Sequence, residues 1–417
     1  MKKYMKMCPV NIVLVLSLCT TFAVYAQDKS DDALLATDPL LSSNWDPVSE
    51  ADAVLKRLVK ITATQVKGAH DAEFVMVGNY AYIVAEVNDE KPGEGGNWDF
   101  IYSAMSIVNM ESLAVEKVIP FARSGQNFKN VRLPKGQSWI PRILQKDKKT
   151  LRCYFVCERM GKGAYSQVWY IDYNLRSGDF SKKIHKVKIK TAAGTFDMNS
   201  EHFYTDAKAQ GFKKKPVGYG AYIFDSFKEF DGQIYVALCN YGGRQNALAK
   251  VNKRLDTFEV LGHYNEPQSA QLCESSVNRL PDGKWMAICR SESGDRNYLV
   301  TTSKDGKSWT TGKPMPSIPN GTNSKPTFDC FDGVYYLGWQ EKTKIDGAHR
   351  SVFNIDVSRD GKNWERKYSF RTNKSFQYPS FAKHNNAIWL IVTQGDLSPS
   401  RKERIMFGRL ENLNVQE

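Results

Sequence analysis

Two stretches near the C-terminus, Ser303-Lys304-Asp305-Gly306-Lys307-Ser308-Trp309 and Ser358-Arg359-Asp360-Gly361-Lys362-Asn363-Trp364, repeat one chemical device. In each, the Asp can close a tight turn onto its own backbone amides and the Gly permits positive φ. The Trp then plugs the start of the next strand into an apolar layer. The copies stand about 55 residues apart, close to the span of one four-stranded propeller blade. Such Asp-box turns constrain the fold more than any other feature of the chain.

A hairpin pattern with the same phase runs through the sequence. It pairs Phe74–Val77 with Ala81–Val87, Ile140–Leu144 with Leu151–Cys157, and Tyr222–Phe230 with Ile234–Leu238. It returns in Ser276–Leu280 with Trp285–Cys289, Phe328–Phe331 with Val334–Trp339, and Ser380–Lys383 with Ile388–Thr393. The connections are Gly-Asn, Asp-Gly and Asn-Asn types that tight hairpins demand. Helical periodicity is nearly absent, Val54–Leu58 being the one weak candidate. The last four copies recur at intervals of about 51 to 53 residues, and the whole span holds about seven such units. The expectation is therefore an all-β, seven-bladed β-propeller of four-stranded antiparallel blades, with six blades as the alternative. Only six hairpins are plain, so residues 194–218 must hold a degenerate strand or a long loop. Residues 53–66 should supply the outer strand that closes the ring onto the last blade.

The N-terminus reads as an export signal over residues 1–26: Lys2, Lys3 and Lys6, an apolar run, then Val24-Tyr25-Ala26 before Gln27. A lipid anchor at Cys19 is disfavoured because Leu18 stands where a small residue is wanted. Residues 27–49 read as a polar leader or linker, and 50–417 as a single propeller domain, placed in the periplasm, at the cell surface or outside. No further window could span a membrane. The six cysteines beyond the signal lack a C-x-x-C pair, so a zinc site is not expected. Buried thiols are favoured, with a Cys273–Cys330 bridge as an alternative. No cofactor is expected, and a structural calcium ion is not readable from these residues. The formal charge of +13, about ten without the signal, would draw an anionic partner. An exported chain without a nucleic-acid motif points to an acidic glycan instead, bound by a monomer.

In a propeller, first strands begin and second strands end at one face. First-strand starts place His70, Asp71, Trp139, Arg142, Tyr219, Tyr222, Glu274, Lys325 and Tyr378 there. Second-strand ends place Glu86, Asn88, Glu158, Arg159, Asn240, Tyr241, Arg290, Gln340 and Gln394 beside them. Polar groups from every blade thus converge on one mouth. A neutral imidazole at His70 could act as general acid or base near pH 7. The bland alternatives are a cross-strand ion pair for Glu274 with Arg290 and simple packing for Tyr378.

The Asp boxes, with Glu274-x15-Arg290 across a Pro-Asp-Gly hairpin, resemble the sialidase superfamily of propellers. That resemblance implies a Tyr378 nucleophile activated by Glu274, and Arg290 gripping a substrate carboxylate. There is no Arg-Ile-Pro opening strand, and Lys325 stands where another carboxylate-binding Arg would be expected. Asp71 could stand in as acid/base. The N-terminal half, with Gly68-Ala69-His70-Asp71, Trp139-Ile140-Pro141-Arg142 and Gly194-Thr195-Phe196-Asp197-Met198, resembles secreted Bacteroidetes propellers. These are the α-L-rhamnosidases of glycoside hydrolase family 145 and related uronate lyases. This second resemblance implies removal of rhamnose capping glucuronic acid, as in arabinogalactan side chains, with a central His matched to His70.

The expected function is accordingly an exo-acting glycoside hydrolase on an acidic polysaccharide. Its catalytic candidates are His70, Asp71, Tyr378 and Glu274. Arg142, Arg290, Lys325, Gln340, Trp139 and Tyr222 would bind substrate, and no metal is involved. The alternatives are a uronate lyase, an exo-sialidase and a non-catalytic glycan-binding propeller in which Trp98, Trp139 and Trp339 stack on sugar rings.

Overall fold

The computed structural model describes residues 39–161, 163–209, 220–240, 245–264, 270–396 and 401–412. The expected export signal, most of the expected leader, Tyr219 and Tyr241 lie outside the described residues. The strands among the described residues form six sheets. Their first strands follow one another round a ring: Gly68–Val77, Gln137–Asp147, Tyr222–Ile223 with Lys228–Phe230, Leu272–Arg279, Thr327–Phe331 and Ser375–His384. The last contacts the first again, which closes the propeller. We number these blades I to VI.

Six sheets correct the seven-blade expectation, and the reason lies in residues 188–209. Lys188–Thr191 runs parallel to Thr257–His263, the outer strand of blade III, and Gly194–Asp197 pairs beyond it. The helix Ser200–Ala209 follows. Met198 and Phe203 pack into the same core cluster as Ile189 and Phe258. This stretch thickens blade III and adds no blade.

The ring closes as expected. Val59 and Lys60 pair with Phe407 and Met406, so an N-terminal strand completes blade VI and removes an open edge. Ahead of it, Asp46 caps the helix Pro47–Leu55: its carboxylate accepts from Val48 N (3.1 Å) and Ser49 Oγ (2.5 Å). Asp at the cap and Pro in the first turn are strong helix-start chemistry. The end of the leader is docked. Leu40 and Leu41 amides donate to the Glu365 carboxylate, and Trp45 Nε1 donates to Lys367 O at 2.7 Å.

Both Asp boxes form as their residues dictate. Asp305 Oδ1 accepts from Lys307 N (2.8 Å) and Ser308 N (2.9 Å), and Asp360 Oδ1 from Lys362 N (2.7 Å) and Asn363 N (2.8 Å). Gly306 and Gly361 take φ of 74° and 72°. Each Trp indole donates back to the glycine carbonyl. Asn109, Asn174 and Asn252 build comparable turns in blades I, II and III, their side-chain oxygens accepting two amides each. An amide oxygen replaces the carboxylate, so these turns escape an Asp-x-Gly pattern.

The six cysteines are free thiols, five of them buried. The Cys273–Cys330 alternative is therefore not formed. No helix among the described residues is long and apolar enough to cross a membrane.

Candidate functional site

The mouth of the propeller holds a cavity of about 290 Å³. Its wall includes His70, Asp71, Glu86, Trp139, Tyr222, Glu274, Arg290, Arg350, Tyr378 and Lys402. First-strand starts and second-strand ends converge here as the propeller geometry requires. Their side chains are aimed by a repeated backbone irregularity. The first strands of blades I, II and VI each carry a bulge, between His70 and Glu73, Trp139 and Arg142, and Gln377 and Ser380. Asp71, Ile140 and Tyr378 occupy these bulges with φ of 48°, 51° and 51°. Left-handed backbone costs a residue with a Cβ about 1–2 kcal/mol, and such strain concentrates at binding and catalytic sites. Pro141 and Pro379 fall at or beside these bulges in first strands, which are edge strands of their sheets, where a missing amide donor is tolerated.

Tyr378, Glu274 and Arg290 form one hydrogen-bonded group. Tyr378 Oη donates to Glu274 Oε1 at 2.5 Å. Arg290 Nη1 donates to Glu274 Oε2 at 2.8 Å and to Tyr378 Oη at 2.9 Å. All three are buried. Burial and the adjacent Glu274 carboxylate push the Tyr378 phenol well above its ordinary pKa. Burial opposes the charge on Arg290, but Glu274 overrides it and holds the guanidinium firmly protonated. Glu292 pairs with the other side of that guanidinium.

Arg350 joins the site from the loop between the second and third strands of blade V. Its guanidinium donates to Gln377 Oε1 (2.6 Å) and to the Asn323 carbonyl. Among the described residues it has no carboxylate partner. Burial and the repulsion of Arg290 lower its pKa from the ordinary value. A partly buried cation with only neutral acceptors, beside a phenol and a carboxylate, is well placed to meet an anion.

His70 lies against Tyr378, with ring centroids 4.2 Å apart. Its Nδ1 is 3.1 Å from Thr393 Oγ1, and Nε2 is buried without a hydrogen-bond partner. Burial, followed by the charges of Lys402, Arg350, Lys325 and Arg142, drives its pKa well below the ordinary histidine value. The imidazole is neutral.

Four assignments made from sequence are corrected. Arg142 lies beneath the cavity floor, fully buried, with Nη2 donating to both Asp71 oxygens at 2.9 and 3.1 Å and to Phe224 O at 2.9 Å. Lys325 is buried as well, donating to Phe224 O at 3.0 Å and to Asp71 Oδ1 at 3.3 Å. Both cations already hold an internal carboxylate, and neither lines the cavity. Gln340 is buried in blade V, accepts from Tyr298 Oη at 3.3 Å, and also lies outside the cavity. Trp339 is buried with its indole on Asp356, so it offers no face to a sugar. Tyr222 does line the cavity, but its hydroxyl donates inward to Glu158 Oε2 at 2.8 Å.

Arg350, Lys402, Glu94 and Phe224 escaped the sequence analysis, which followed only strand ends. The first three belong to loops joining second to third strands, in blades V, VI and I. Those loops open on the same face by the same geometry, which is the signal that would have found them. Lys402 pairs with Glu94; burial lowers its pKa to about 8, against the pull of Glu86 and Asp71. Among the described residues no group of three or more His, Cys, Asp or Glu side chains could hold a metal ion.

The chain is similar over 84% of its length to a protein of unknown function from Dyadobacter fermentans, at 12% identity and TM-score 0.60, covering 97% of that chain. It is also similar to a Trypanosoma rangeli sialidase in complex with sialic acid, at 11% identity and TM-score 0.52. That match covers 85% of this chain and 57% of the sialidase. A Hadza microbial sialidase matches at 13% identity and TM-score 0.54, over 82% of this chain and 65% of the other. The chain thus spans less than two thirds of these sialidases' lengths, and identities this low establish the fold alone. No curated protein matches the chain in sequence. The BNR repeat-like domain family matches residues 126–391, a span that includes both Asp boxes and the Tyr378–Glu274–Arg290 group. The chain belongs to the BNR repeat-like domain family.

Proposed function

We propose that this propeller is an exo-acting glycoside hydrolase for a terminal sugar bearing a carboxylate, of the sialic acid class. The observation that carries the reading is Arg350, a cation without a carboxylate partner among the described residues, beside the hydrogen-bonded Tyr378–Glu274 pair. Arg350 would grip the sugar carboxylate, with Arg290 reinforcing the positive field. Tyr378 would attack the anomeric carbon while Glu274 takes its phenolic proton. A neutral phenol suits this task, because a carboxylate nucleophile would be repelled by the anionic sugar. The solved sialidases that share the fold agree with this reading without fixing the substrate.

The second reading, removal of rhamnose capping glucuronic acid, is favoured by one observation. His70 presents a buried, unpartnered Nε2 beside the same cavity, a position suited to activating water. Export of the protein is part of either proposal and rests on the N-terminal sequence pattern. Incubation with sialyllactose and with rhamnose-capped arabinogalactan separates the readings by product chromatography. Free sialic acid is expected. Release of rhamnose, with loss of activity in His70→Ala and not in Tyr378→Phe, would replace the first reading by the second. Binding without any product would leave a glycan-binding propeller.

A further inference from the structure

Two carboxylates on neighbouring strands of blade I reach the cavity, and their surroundings differ sharply. Asp71 is clamped by Arg142 and Lys325. Glu86 has no cation on it. Its Oε2 accepts from Ile140 N at 2.9 Å, the amide that the blade II bulge turns toward it. Its Oε1 is buried without a hydrogen-bond partner, and the residue lines the cavity with Tyr378 and Glu274. His70 stands directly across the strand pair from it. A buried carboxyl with one oxygen on an amide and the other unpartnered favours the neutral acid, whose hydroxyl needs an acceptor.

We propose that Glu86 is the general acid that protonates the departing alcohol and, in the second half-reaction, the base that deprotonates water. The inference rests on the glycosidase reading above. As the Tyr378 Oη–carbon bond forms, the bond from the anomeric carbon to the leaving oxygen breaks. Glu274 receives the phenolic proton, and the Glu86 proton passes to the leaving oxygen. Water then attacks the anomeric carbon and gives a proton to Glu86, while the released phenolate recovers its own from Glu274. Protons and charge balance over the cycle, and both carboxyl groups end as they began.

The electrostatics agree. Burial, then the negative charge of Asp71, raises the Glu86 pKa to about 7, against the Ile140 amide and the cations Lys402 and Arg142. Glu94, on the loop above, is tied to Lys402, and His70 is neutral. His70 is a poor acid in turn: burial, and then the charges of Lys402, Arg350, Lys325 and Arg142, keep its imidazole neutral.

The test compares Glu86→Gln with wild type on two sialosides, one with a 4-nitrophenol leaving group and one with lactose. Nitrophenol departs without protonation, so its release should fall less than about tenfold. Lactose release should fall about 10²- to 10⁴-fold, the usual worth of a positioned acid. Wild-type activity on sialyllactose should decline as pH rises through about 7, and this limb should vanish in Glu86→Gln. Glu86→Asp, which keeps a titrating group, should retain a displaced limb and guards against misfolding of the amide variant. Infrared difference spectra of wild type minus Glu86→Gln should show a carboxylic-acid carbonyl band titrating near neutrality. Equal losses on both sialosides, or no acid band, would overturn the role. If wild type cleaves neither sialoside, the sialic-acid reading on which this role rests fails and the role with it; the infrared band then decides the protonation state of Glu86 separately.

Discussion

In the two Asp-box turns, left-handed backbone falls on Gly306 and Gly361, and each turn closes its own hydrogen bonds; other turns at that end place Asp231, Asp332, Asn385 and Asn386 there. At the mouth it falls on Asp71, Ile140 and Tyr378, beside buried polar atoms of His70 and Glu86 that find no partner. The strands of blades IV and V therefore end, at the Asp boxes, in turns that close their own hydrogen bonds, while the mouth gathers polar groups that its own neighbours leave unpartnered. Local satisfaction marks the scaffold, and its absence marks the place where an outside molecule is to complete the bonding. The Asp boxes set the phase of the blades; the bulges opposite them use that phase to aim side chains.

The largest expected effect breaks the mouth alone. Tyr378→Phe removes the attacking oxygen and should lower turnover of a sialoside on the order of 10⁴-fold or more. The melting temperature should move only by the loss of one or two buried hydrogen bonds, about 1–3 kcal/mol. Unchanged turnover would reduce the Tyr378–Glu274–Arg290 group to scaffold and erase the contrast between the two ends.

Asp71→Asn should show the reverse balance, because Asp71 is scaffold placed within the mouth. It would leave Arg142 and Lys325 buried without their carboxylate, a loss of about 3–5 kcal/mol. Chemical denaturation should report this directly. A small stability change would mean that the Arg142–Asp71–Lys325 cluster is solvated rather than structural. Arg350→Ala comes next. Losing a charge-assisted bond to a substrate carboxylate costs about 1.5–3 kcal/mol, or roughly 10- to 100-fold. The loss should fall mainly on KM for a carboxylate-bearing sugar and spare the fold. An equal loss for a neutral sugar would deny Arg350 its anion.

How far the sequence disclosed this division depends on whether the signal was local. Asp305-Gly306 and Asp360-Gly361 are legible because each turn is made by its own neighbours. The hairpins are legible for the same reason; the closing strand expected within residues 53–66, formed by Val59 and Lys60 against Phe407 and Met406, follows instead from a propeller's need to close its edge. The helix from Pro47 was underread: the Asp46-Pro47 cap is plain, but its apolar face is short. Seven blades follow from dividing the span by the blade repeat, but residues 188–209 lengthen the span without adding a blade: they extend the edge of blade III by a parallel pairing that no short-range pattern encodes. Among site residues, Tyr378, Glu274, Arg290, His70, Asp71, Trp139 and Tyr222 follow from strand phase alone. Arg142 and Lys325 were misassigned because phase gives the end of a strand and not the depth of a side chain. Arg142 points beneath the floor since the bulge at Ile140 reverses the alternation just before it. Pro141 and Pro379, each inside an innermost strand, were the available sign of those bulges.

The smallest effects test the scaffold side of the contrast with two alanines. Gly306 and Gly361 have nearly equal φ, 74° and 72°, so the backbone cost of alanine should be alike, about 1 kcal/mol. Their surroundings differ. A Cβ on Gly361 would stand 2.5 Å from Leu280 Cδ2, whereas one on Gly306 would stand 3.0 Å from Leu248 Cδ2. Gly361→Ala must displace Leu280 within its apolar cluster, adding about 1 kcal/mol or more of overpacking. Denaturant midpoints should therefore rank wild type above Gly306→Ala and Gly306→Ala above Gly361→Ala, with turnover the same in all three. Turnover falling in step with either midpoint would mean that the Asp-box turns reach through the blade to the mouth. In that case scaffold and site would be one cooperative unit, and local satisfaction would cease to distinguish them.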